Sequence, residues 1–250
     1  MTPRLSYLFL CITALFSCNS SHPPAEERST AENIYRGLRP LVEKVLTAEE
    51  QAQLTPGDVI KNLQAGNERF INNDLTARDH TEQVRKSTYG QFPKAVVLSC
   101  LDSRIPVEDV FDKGIGDIFV ARVAGNFVNE DILGSMEFGC KVAGAKAILV
   151  MGHERCGAIK AAIDRVEMGN ITQMLTKIEP AVEQSQDFLG EKTSKNMEFV
   201  SYVAQNNVRN TIKVIKEQSE VLKEMEEKGE IKIVGAVYNM DSGKVTFFDE

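Results

Sequence analysis

The chain has 250 residues, of which 42% are hydrophobic and 26% are charged, a balance typical of a globular protein with a full core. Its formal net charge is -7, so a surface that tracks nucleic-acid phosphates would oppose the charge of the whole chain, and we exclude nucleic acid as a partner. Outside the N-terminal region the cysteines are Cys100, Cys140 and Cys156. Three cysteines cannot all pair within one chain, which argues against a disulfide scaffold.

The N-terminus has the layout of a secretory signal peptide over residues 1–17: Arg4 precedes an apolar run that is too short to span a bilayer well. The run ends in Leu15-Phe16-Ser17-Cys18, which resembles the lipobox of bacterial lipoproteins, although Phe16 replaces the small residue usual there. The resemblance implies lipidation of Cys18 and a lipid anchor to the membrane. The alternatives are an ordinary signal peptide or an uncleaved anchor. All three predict secretion across the inner membrane, to the periplasm or the cell surface.

After the signal peptide we expect a flexible tether over residues 18–32, where serine and proline are frequent, and one domain over residues 33–250. The domain is predicted to begin with a helical arm, because apolar residues recur there at helical spacing. These residues are Ile34, Leu38, Leu41, Val42 and Val45.

A second helix is predicted from Pro56 to about Phe70, with Thr55 as its N-cap. Beyond it, three short apolar runs at 95–98, 118–121 and 147–151 have the character of strands buried on both faces. Helical stretches at about 106–113, 130–143 and 157–167 alternate with them. This order predicts an α/β fold of three layers, in which a mostly parallel central sheet is flanked by helices.

The C-terminal part is predicted to form further helices and then a hairpin. Four apolar residues share one helical face, namely Val208, Ile212, Ile215 and Leu222. The hairpin joins residues 231–238 to residues 245–248 through Asp241-Ser242-Gly243, and we expect it to close one edge of the sheet.

Potential metal ligands follow two of the predicted strands. Cys100 comes directly after the first strand, and His153 and Cys156 come after the third. Parallel strands place these ends along one edge of a sheet, where open α/β sheets bind ligands. Two thiolates and one imidazole suit Zn²⁺, and three protein ligands leave a fourth position free, as catalytic zinc sites do.

Asp102 and Arg104 lie in the same predicted turn as Cys100. An arginine at this distance would keep Asp102 ionised, so its carboxylate could accept a hydrogen bond from a zinc-bound water or move onto the metal and displace that water. The alternative is that Asp102 and Arg104 form an ordinary salt bridge in a turn, without a catalytic role.

The segments C-L-D-S-R at 100–104, R-V-A-G-N at 122–126 and G-H-E-R-C-G-A at 152–158 resemble the signature segments of beta-class carbonic anhydrases, with matching order and approximate spacing. The resemblance covers about residues 55–248. It implies one Zn²⁺ per subunit, held by Cys100, His153 and Cys156, and a catalytic pair made of Asp102 and Arg104. It also implies a homodimer or higher homo-oligomer that completes a carbon dioxide pocket. The predicted pocket residues are Gln91, Phe119, Phe138 and Gly157.

The function that this resemblance implies is the reversible hydration of carbon dioxide to bicarbonate and a proton, through attack by a zinc-bound hydroxide. One alternative uses the same site to hydrolyse carbonyl sulfide or carbon disulfide. The other is a zinc-binding or thiol-redox lipoprotein without catalytic activity, in which Cys100 and Cys156 form a redox switch. Cys140 matches no ligand position and is predicted to be a buried core residue.

Overall fold

A computed structural model describes residues 40–248, and at its centre lies a five-stranded sheet with the strand order β2-β1-β3-β4-β5. The strands are β1 (Ala95–Ser99), β2 (Ile118–Arg122), β3 (Ala147–His153), β4 (Lys232–Tyr238) and β5 (Val245–Phe247). The first four are parallel to one another, and β5 runs antiparallel to β4 at the sheet edge. The predicted mostly parallel sheet and its closing hairpin are therefore confirmed.

Helices connect and cover these strands. They are α1 (Ala48–Ala52), α2 (Pro56–Ile71), α3 (His80–Ser87), α4 (Val107–Val110), α5 (Glu130–Glu137), α6 (Gly157–Ile163), α7 (Gly169–Leu175), α8 (Glu179–Gln184), α9 (Met197–Gln218) and α10 (Glu220–Glu227), with a π-helix at Phe138–Val142. None of the helices within residues 40–248 is long and apolar enough to cross a membrane.

The sheet is buried on both faces, which explains the continuous apolar runs of its strands. Along β1, Ala95 and Val97 pack in one core with Leu63 of α2, whereas Val96 and Leu98 point to the opposite core. That second core contains residues of α9 and α10. Side chains alternate between the faces because successive residues of a strand point in opposite directions. The three-layer architecture follows from this double burial.

Helix α2 begins where the sequence predicts. The Thr55 hydroxyl accepts a hydrogen bond from the backbone N–H of Asp58, and the Asp58 carboxylate accepts one from the N–H of Thr55. This reciprocal cap satisfies two N–H groups that the helix leaves without partners, and Pro56 fits the first turn because it lacks an N–H.

The predicted helical arm is wrong in the part of it that the structure describes. Leu41, Val42 and Val45 are not helical, while Ile34, Leu38, the signal peptide, Cys18 and the tether lie outside the described residues. The N–H of Val42 donates to the carbonyl of Ala77, and the carbonyl of Val42 accepts from Asp79. These partners from a distant segment occupy the backbone groups that a helix would need.

The late helical face is also divided. Ser219 is extended, with φ -118° and ψ 99°, and its hydroxyl accepts from the N–H of Leu222, so a new helix starts there. Val208, Ile212 and Ile215 therefore lie on α9, but Leu222 lies on α10, and all four still pack in the same core. The side-chain cap of Ser219 explains the break.

Candidate metal centre and active site

Three ligand-type side chains meet at the carboxyl edge of the sheet. Cys100 follows the last residue of β1, His153 is the last residue of β3, and Cys156 is the N-cap of α6. The two strands are neighbours in parallel register, with Ser99 opposite Met151, so their ends lie side by side. The prediction that these residues converge is confirmed.

The spacing of the ligand atoms fits a single small cation. The Sγ atoms of Cys100 and Cys156 are 3.9 Å apart, and one ligand atom from each of the three residues lies within 4.8 Å of the others. Two sulfurs at about 2.3 Å from a tetrahedral zinc ion would be about 3.8 Å apart. All three residues are at most 5% exposed, so the site is shielded from bulk water.

The imidazole of His153 is oriented for metal binding. Its Nδ1 lies 2.9 Å from the backbone carbonyl of Glu154, which can only accept, so Nδ1 carries the proton and donates. The lone pair is then on Nε2, which is buried and has no hydrogen-bond partner within residues 40–248. A buried acceptor without a partner is costly, and a cation between His153 and the two sulfurs would satisfy it.

The electrostatics of the two thiols favour a bound cation. The Cys156 thiol lies against the Cys100 sulfur and holds the pKa of Cys100 below its usual range, against the opposing effect of burial, and the backbone N–H of Gly125 at 3.3 Å acts in the same direction. The pKa of Cys156 is raised, first by the same contact with Cys100 and then by burial. The pair thus holds a thiolate and a proton that a metal ion would displace.

Asp102 is held beside this group by Arg104. The guanidinium donates to both carboxylate oxygens, at 2.9 and 2.7 Å, and the backbone N–H of Arg104 adds a third bond of 3.0 Å. These contacts hold the pKa of Asp102 well below its usual range. Asp102 Oδ2 is 3.9 Å from His153 Nε2, although Asp102 is not a member of the three-residue group. The carboxylate therefore borders the metal position while it is bound to Arg104.

Arg122 and Gly125 support the site in roles that the sequence did not reveal. Arg122 donates from its guanidinium to the backbone carbonyls of Cys100 and Asp102, which fixes the turn that carries both. Gly125 has φ +88° and donates its N–H to the Cys100 sulfur, and its carbonyl accepts from the side-chain amide of Asn207. Both lie in the R-V-A-G-N segment, whose order alone does not show which groups they contact.

The predicted pocket residues divide into two groups. Gly157 is exposed at the start of α6, next to Cys156, and a Cβ at this position would meet no other heavy atom within 4 Å. Phe119 and Phe138 have ring centroids 6.5 Å apart and line a hollow of about 620 Å³ beside β2. Gln91 is exposed in the segment before β1, and Phe119 pairs with Val96 near the start of β1. At about 3.3 Å per residue these positions are roughly 13 Å or more along the strand from Cys100.

A buried set of two thiols and one imidazole, with an ionised carboxylate at its side, is the ligand chemistry of a catalytic zinc site on an α/β sheet. The fold and the site therefore define the class of protein as an α/β zinc metalloprotein.

Comparison with known proteins makes the class specific. Residues 95–245 match the model of the family described as carbonic anhydrase. Carbonic anhydrase 2 of Mycobacterium tuberculosis is 31% identical over 198 residues, which cover 76% of this chain and 91% of that protein. The chain belongs to the carbonic anhydrase family, and to its beta class.

Solved structures support the same fold. The beta-carbonic anhydrase CcaA superposes with a TM-score of 0.61 at 21% identity, covering 77% of this chain and 87% of that one. A tetrameric beta-carbonic anhydrase from Sordaria macrospora gives a TM-score of 0.60 at 21% identity, covering 76% and 94%. The three-layer core around the sheet is thus the beta-carbonic anhydrase fold.

Proposed function

We propose that the protein catalyses the reversible hydration of carbon dioxide to bicarbonate and a proton. The observation that carries this proposal is the convergence of Cys100, His153 and Cys156 on one position, with ionised Asp102 at its border. Membership of the carbonic anhydrase family supports the same reaction.

The donor set fits Zn²⁺, and Cys100, His153 and Cys156 would hold it. When bound, zinc acts as a Lewis acid and lowers the pKa of a coordinated water from 15.7 toward about 7. Asp102 would supply a hydrogen-bond acceptor at Oδ2, which could orient a water molecule at this position. Arg104 keeps that carboxylate ionised and fixed, and burial of the site excludes other water. Two thiolates reduce the net charge of the metal, so activity should rise on the alkaline side of neutrality.

Stopped-flow hydration of carbon dioxide, with and without zinc removal by a chelator, tests the proposal. We expect stoichiometric zinc and turnover that is lost with the metal and restored by Zn²⁺. The variant Asp102→Asn should retain zinc and lose about 10²-fold or more in kcat. Turnover that is unaffected by zinc removal, or a flat rate profile from about pH 6 to about pH 9, would contradict it.

The thiol-redox alternative has one supporting observation, the 3.9 Å separation of the Cys100 and Cys156 sulfurs. It predicts that Asp102→Asn leaves function intact and that oxidation joins the two sulfurs in the protein as isolated. Cys140→Ser is the matched control for Cys100→Ser, because Cys140 is buried in the π-helix away from the ligand group. Only Cys100→Ser should lose zinc. The remaining alternative is hydrolysis of carbonyl sulfide or carbon disulfide at the same site. Side-by-side rate measurements with carbonyl sulfide and carbon dioxide distinguish it from carbon dioxide hydration.

We also propose that the pocket is completed by a second copy of the chain. Gln91, Phe119 and Phe138 lie near the opposite end of the sheet from Cys100, so they would serve the metal centre of a neighbouring subunit. The tetrameric relatives of the same fold support an oligomer. A mixture of Cys100→Ser and Phe138→Ala chains tests this arrangement. Refolding them together should restore activity, because each mixed dimer regains one intact site; no gain over the separate variants would contradict it.

The location of the protein is a proposal from the N-terminal sequence alone. We propose export across the inner membrane and lipidation at Cys18, with the catalytic domain at the periplasmic face or the cell surface. Expression with labelled palmitate tests this. Label should appear in the wild type and be absent from Cys18→Ser, and an unlabelled wild-type protein would exclude the anchor.

A further inference from the structure

A second polar cavity lies away from the metal centre, between α2, α3 and the start of β1. Its volume is about 280 Å³, several times the roughly 30 Å³ that a water molecule occupies in the liquid. Five cationic side chains and two carboxylates line it. The cations are Lys44, Arg69, Arg78, Lys94 and Lys113, and the carboxylates are Asp112 and Asp117. This excess of positive charge occurs in a chain whose formal net charge is -7.

The two carboxylates are fully occupied by their neighbours. Asp112 accepts hydrogen bonds from Arg69, Arg78 and Thr76, and its side chain is 0% exposed. Asp117 accepts from Lys94 at 2.6 Å and from the N–H of Gly114 at 2.8 Å. Neither carboxylate is therefore available to neutralise a further cation in the cavity.

This pairing leaves two of the five cations, Lys44 and Lys113, and Lys44 forms an ion pair with Glu50 instead. Lys113 has no such carboxylate partner among the described residues. It is 7% exposed, and within residues 40–248 its ammonium makes one hydrogen bond, of 3.1 Å, to the backbone carbonyl of Asn62. An ammonium group has three donors, so two of them have no partner in the described part of the chain. Burial, and next the positive charge of Lys94, lower the pKa of Lys113 to about 8, against the opposing effect of the Asp117 and Asp112 carboxylates. Because both nearby carboxylates are already hydrogen-bonded to other cations, Lys113 has no carboxylate bonded to it directly, and an anion that accepts from its ammonium would be stabilising here.

The fold holds Lys113 in this position. A Cβ on Gly66 of α2 would lie 1.9 Å from the carbonyl oxygen of Phe111 and 3.1 Å from Lys113 Nζ. Because Gly66 has no side chain, residues 111–113 pack directly against the backbone of α2. This contact places the Lys113 ammonium next to the helix. The guanidinium of Arg69 uses only its Nε in the hydrogen bonds of the described residues, which leaves its terminal nitrogens as donors at the same cavity. The donors are therefore preorganised for a ligand with several acceptor oxygens.

We propose that this cavity binds a small oxyanion, such as phosphate or bicarbonate, with Lys113 and Arg69 as its principal donors. The site is separate from the metal centre, and the proposal stands without the hydrase activity. Because Lys113 must be protonated to bind an anion, affinity should fall as the pH rises past about 8. The other charged groups that line the cavity are Lys44, Arg69, Arg78, Lys94, Asp112 and Asp117.

Calorimetric titration of the full-length zinc enzyme with inorganic phosphate, at about pH 7 and constant ionic strength, tests this site. Lys113→Met should weaken phosphate binding at least tenfold, and Lys113→Gln should do the same while keeping a polar group near the Asn62 carbonyl. Lys61→Met is the matched control, because Lys61 is an exposed lysine of the same helix as Asn62 and lies outside the cavity lining.

The outcomes separate this site from the metal centre. Both Lys113 variants should keep the wild-type hydration rate in the absence of phosphate, and bicarbonate and sulfate titrations compared with phosphate would identify the preferred anion. Phosphate affinity within twofold of wild type in both Lys113 variants would overturn the proposal and assign any binding to the zinc. An equal loss of phosphate affinity in Lys61→Met would also overturn the proposal, because it would show that phosphate responds only to the net charge of the protein.

Discussion

The side-chain amide of Asn239 donates a hydrogen bond of 3.0 Å to the carboxylate of Glu154, the residue that follows the candidate metal ligand His153. Asn239 begins the turn between β4 and β5, and its side-chain oxygen Oδ1 accepts from the backbone N–H groups of Asp241 and Ser242. The turn of the C-terminal hairpin is thereby tied to the loop that carries two of the three ligands. The hairpin does more than close the sheet, because it also braces the metal loop.

Asn239→Ala should weaken this brace without unfolding the domain. Groups that orient metal ligands from behind typically contribute about 10–100-fold in metal affinity or activity, and we expect a loss in that range. Competition with a chelator measures the zinc affinity. Ser242→Ala is the control, because Ser242 also contacts Asn239 but not Glu154. Zinc affinity unchanged in Asn239→Ala would mean that the ligand loop is rigid by itself.

Arg104 should matter through Asp102 and not through the metal. Arg104→Ala removes both side-chain bonds to the carboxylate, so the pKa of Asp102 should return toward its ordinary value and the carboxylate should lose its fixed position. We expect kcat to fall about 10²-fold while zinc content stays stoichiometric. Arg104→Lys should recover only part of the rate, since an ammonium cannot make the two parallel bonds.

Kinetics and metal analysis on the same preparations check this prediction. The acidic limb of the rate profile should also move to higher pH in Arg104→Ala, because the folded pKa of Asp102 is lowered chiefly by Arg104. Loss of zinc in parallel with activity would instead assign Arg104 to the stability of the site.

The convergence of Cys100, His153 and Cys156 could be predicted from the sequence, because their positions depend on where the strands end. Cys100 and His153 mark the ends of apolar runs, and neighbouring parallel strands bring such ends together whatever the surrounding helices do. The prediction of a helical arm was wrong because the conformation there depends on a contact that is distant in the sequence. Leu41, Val42 and Val45 do have helical spacing, but Val42 exchanges backbone hydrogen bonds with the segment at 77–79, a partner that no local pattern contains.

The hydrogen bonds that support the site could not be predicted from the sequence either, because they also join segments that are distant in the chain. Arg122 bonds two carbonyls, and Asn239 bonds a glutamate 85 residues away in the chain. Such contacts depend on how the turns are directed once the sheet is complete. The sequence shows that a polar residue occupies a loop, but the partner is set by tertiary packing.

A substitution at Gly125 tests whether the close packing of the R-V-A-G-N segment contributes to stability and to zinc binding. Its φ of +88° is strained for any residue with a side chain, and a Cβ there would lie 2.4 Å from Cδ1 of Ile178. Gly125→Ala should therefore destabilise the fold by about 1–2 kcal/mol from backbone strain and by about 1–3 kcal/mol from overpacking. It should also displace the N–H that donates to the Cys100 sulfur and so weaken zinc binding.

Gly116→Ala is the matched control for this change. Gly116 has a similar φ of +79°, but a Cβ at that position would meet no heavy atom within 4 Å. Chemical denaturation should show only the backbone contribution there, with full zinc content. If the two alanine variants lost the same stability and both kept zinc, the close approach to Ile178 and the contact with Cys100 would have no energetic role.

Asp112 provides a stability prediction with a defined dependence on pH. Burial would raise its pKa, but the hydrogen bonds from Arg69, Thr76 and Arg78 outweigh that effect and lower the pKa to about 2. Because the folded value lies below the unfolded value of about 3.9, Asp112 stabilises the fold fully above about pH 4 and loses this contribution as the pH falls toward 2. The difference between the folded and unfolded pKa of Asp112 corresponds to roughly 2–3 kcal/mol of stability at neutral pH.

Asp112→Asn should therefore unfold more easily at neutral pH, by about 3–5 kcal/mol, because it leaves two guanidinium groups beside a buried neutral amide. The difference from wild type in urea unfolding should shrink between about pH 4 and about pH 2, as the wild-type carboxylate becomes protonated. Glu82→Gln is the control: the pair between Glu82 and Arg85 is exposed, so its loss should change little at any pH. A difference that stayed constant across the acid range would show that the charge of Asp112 is not what stabilises this part of the fold.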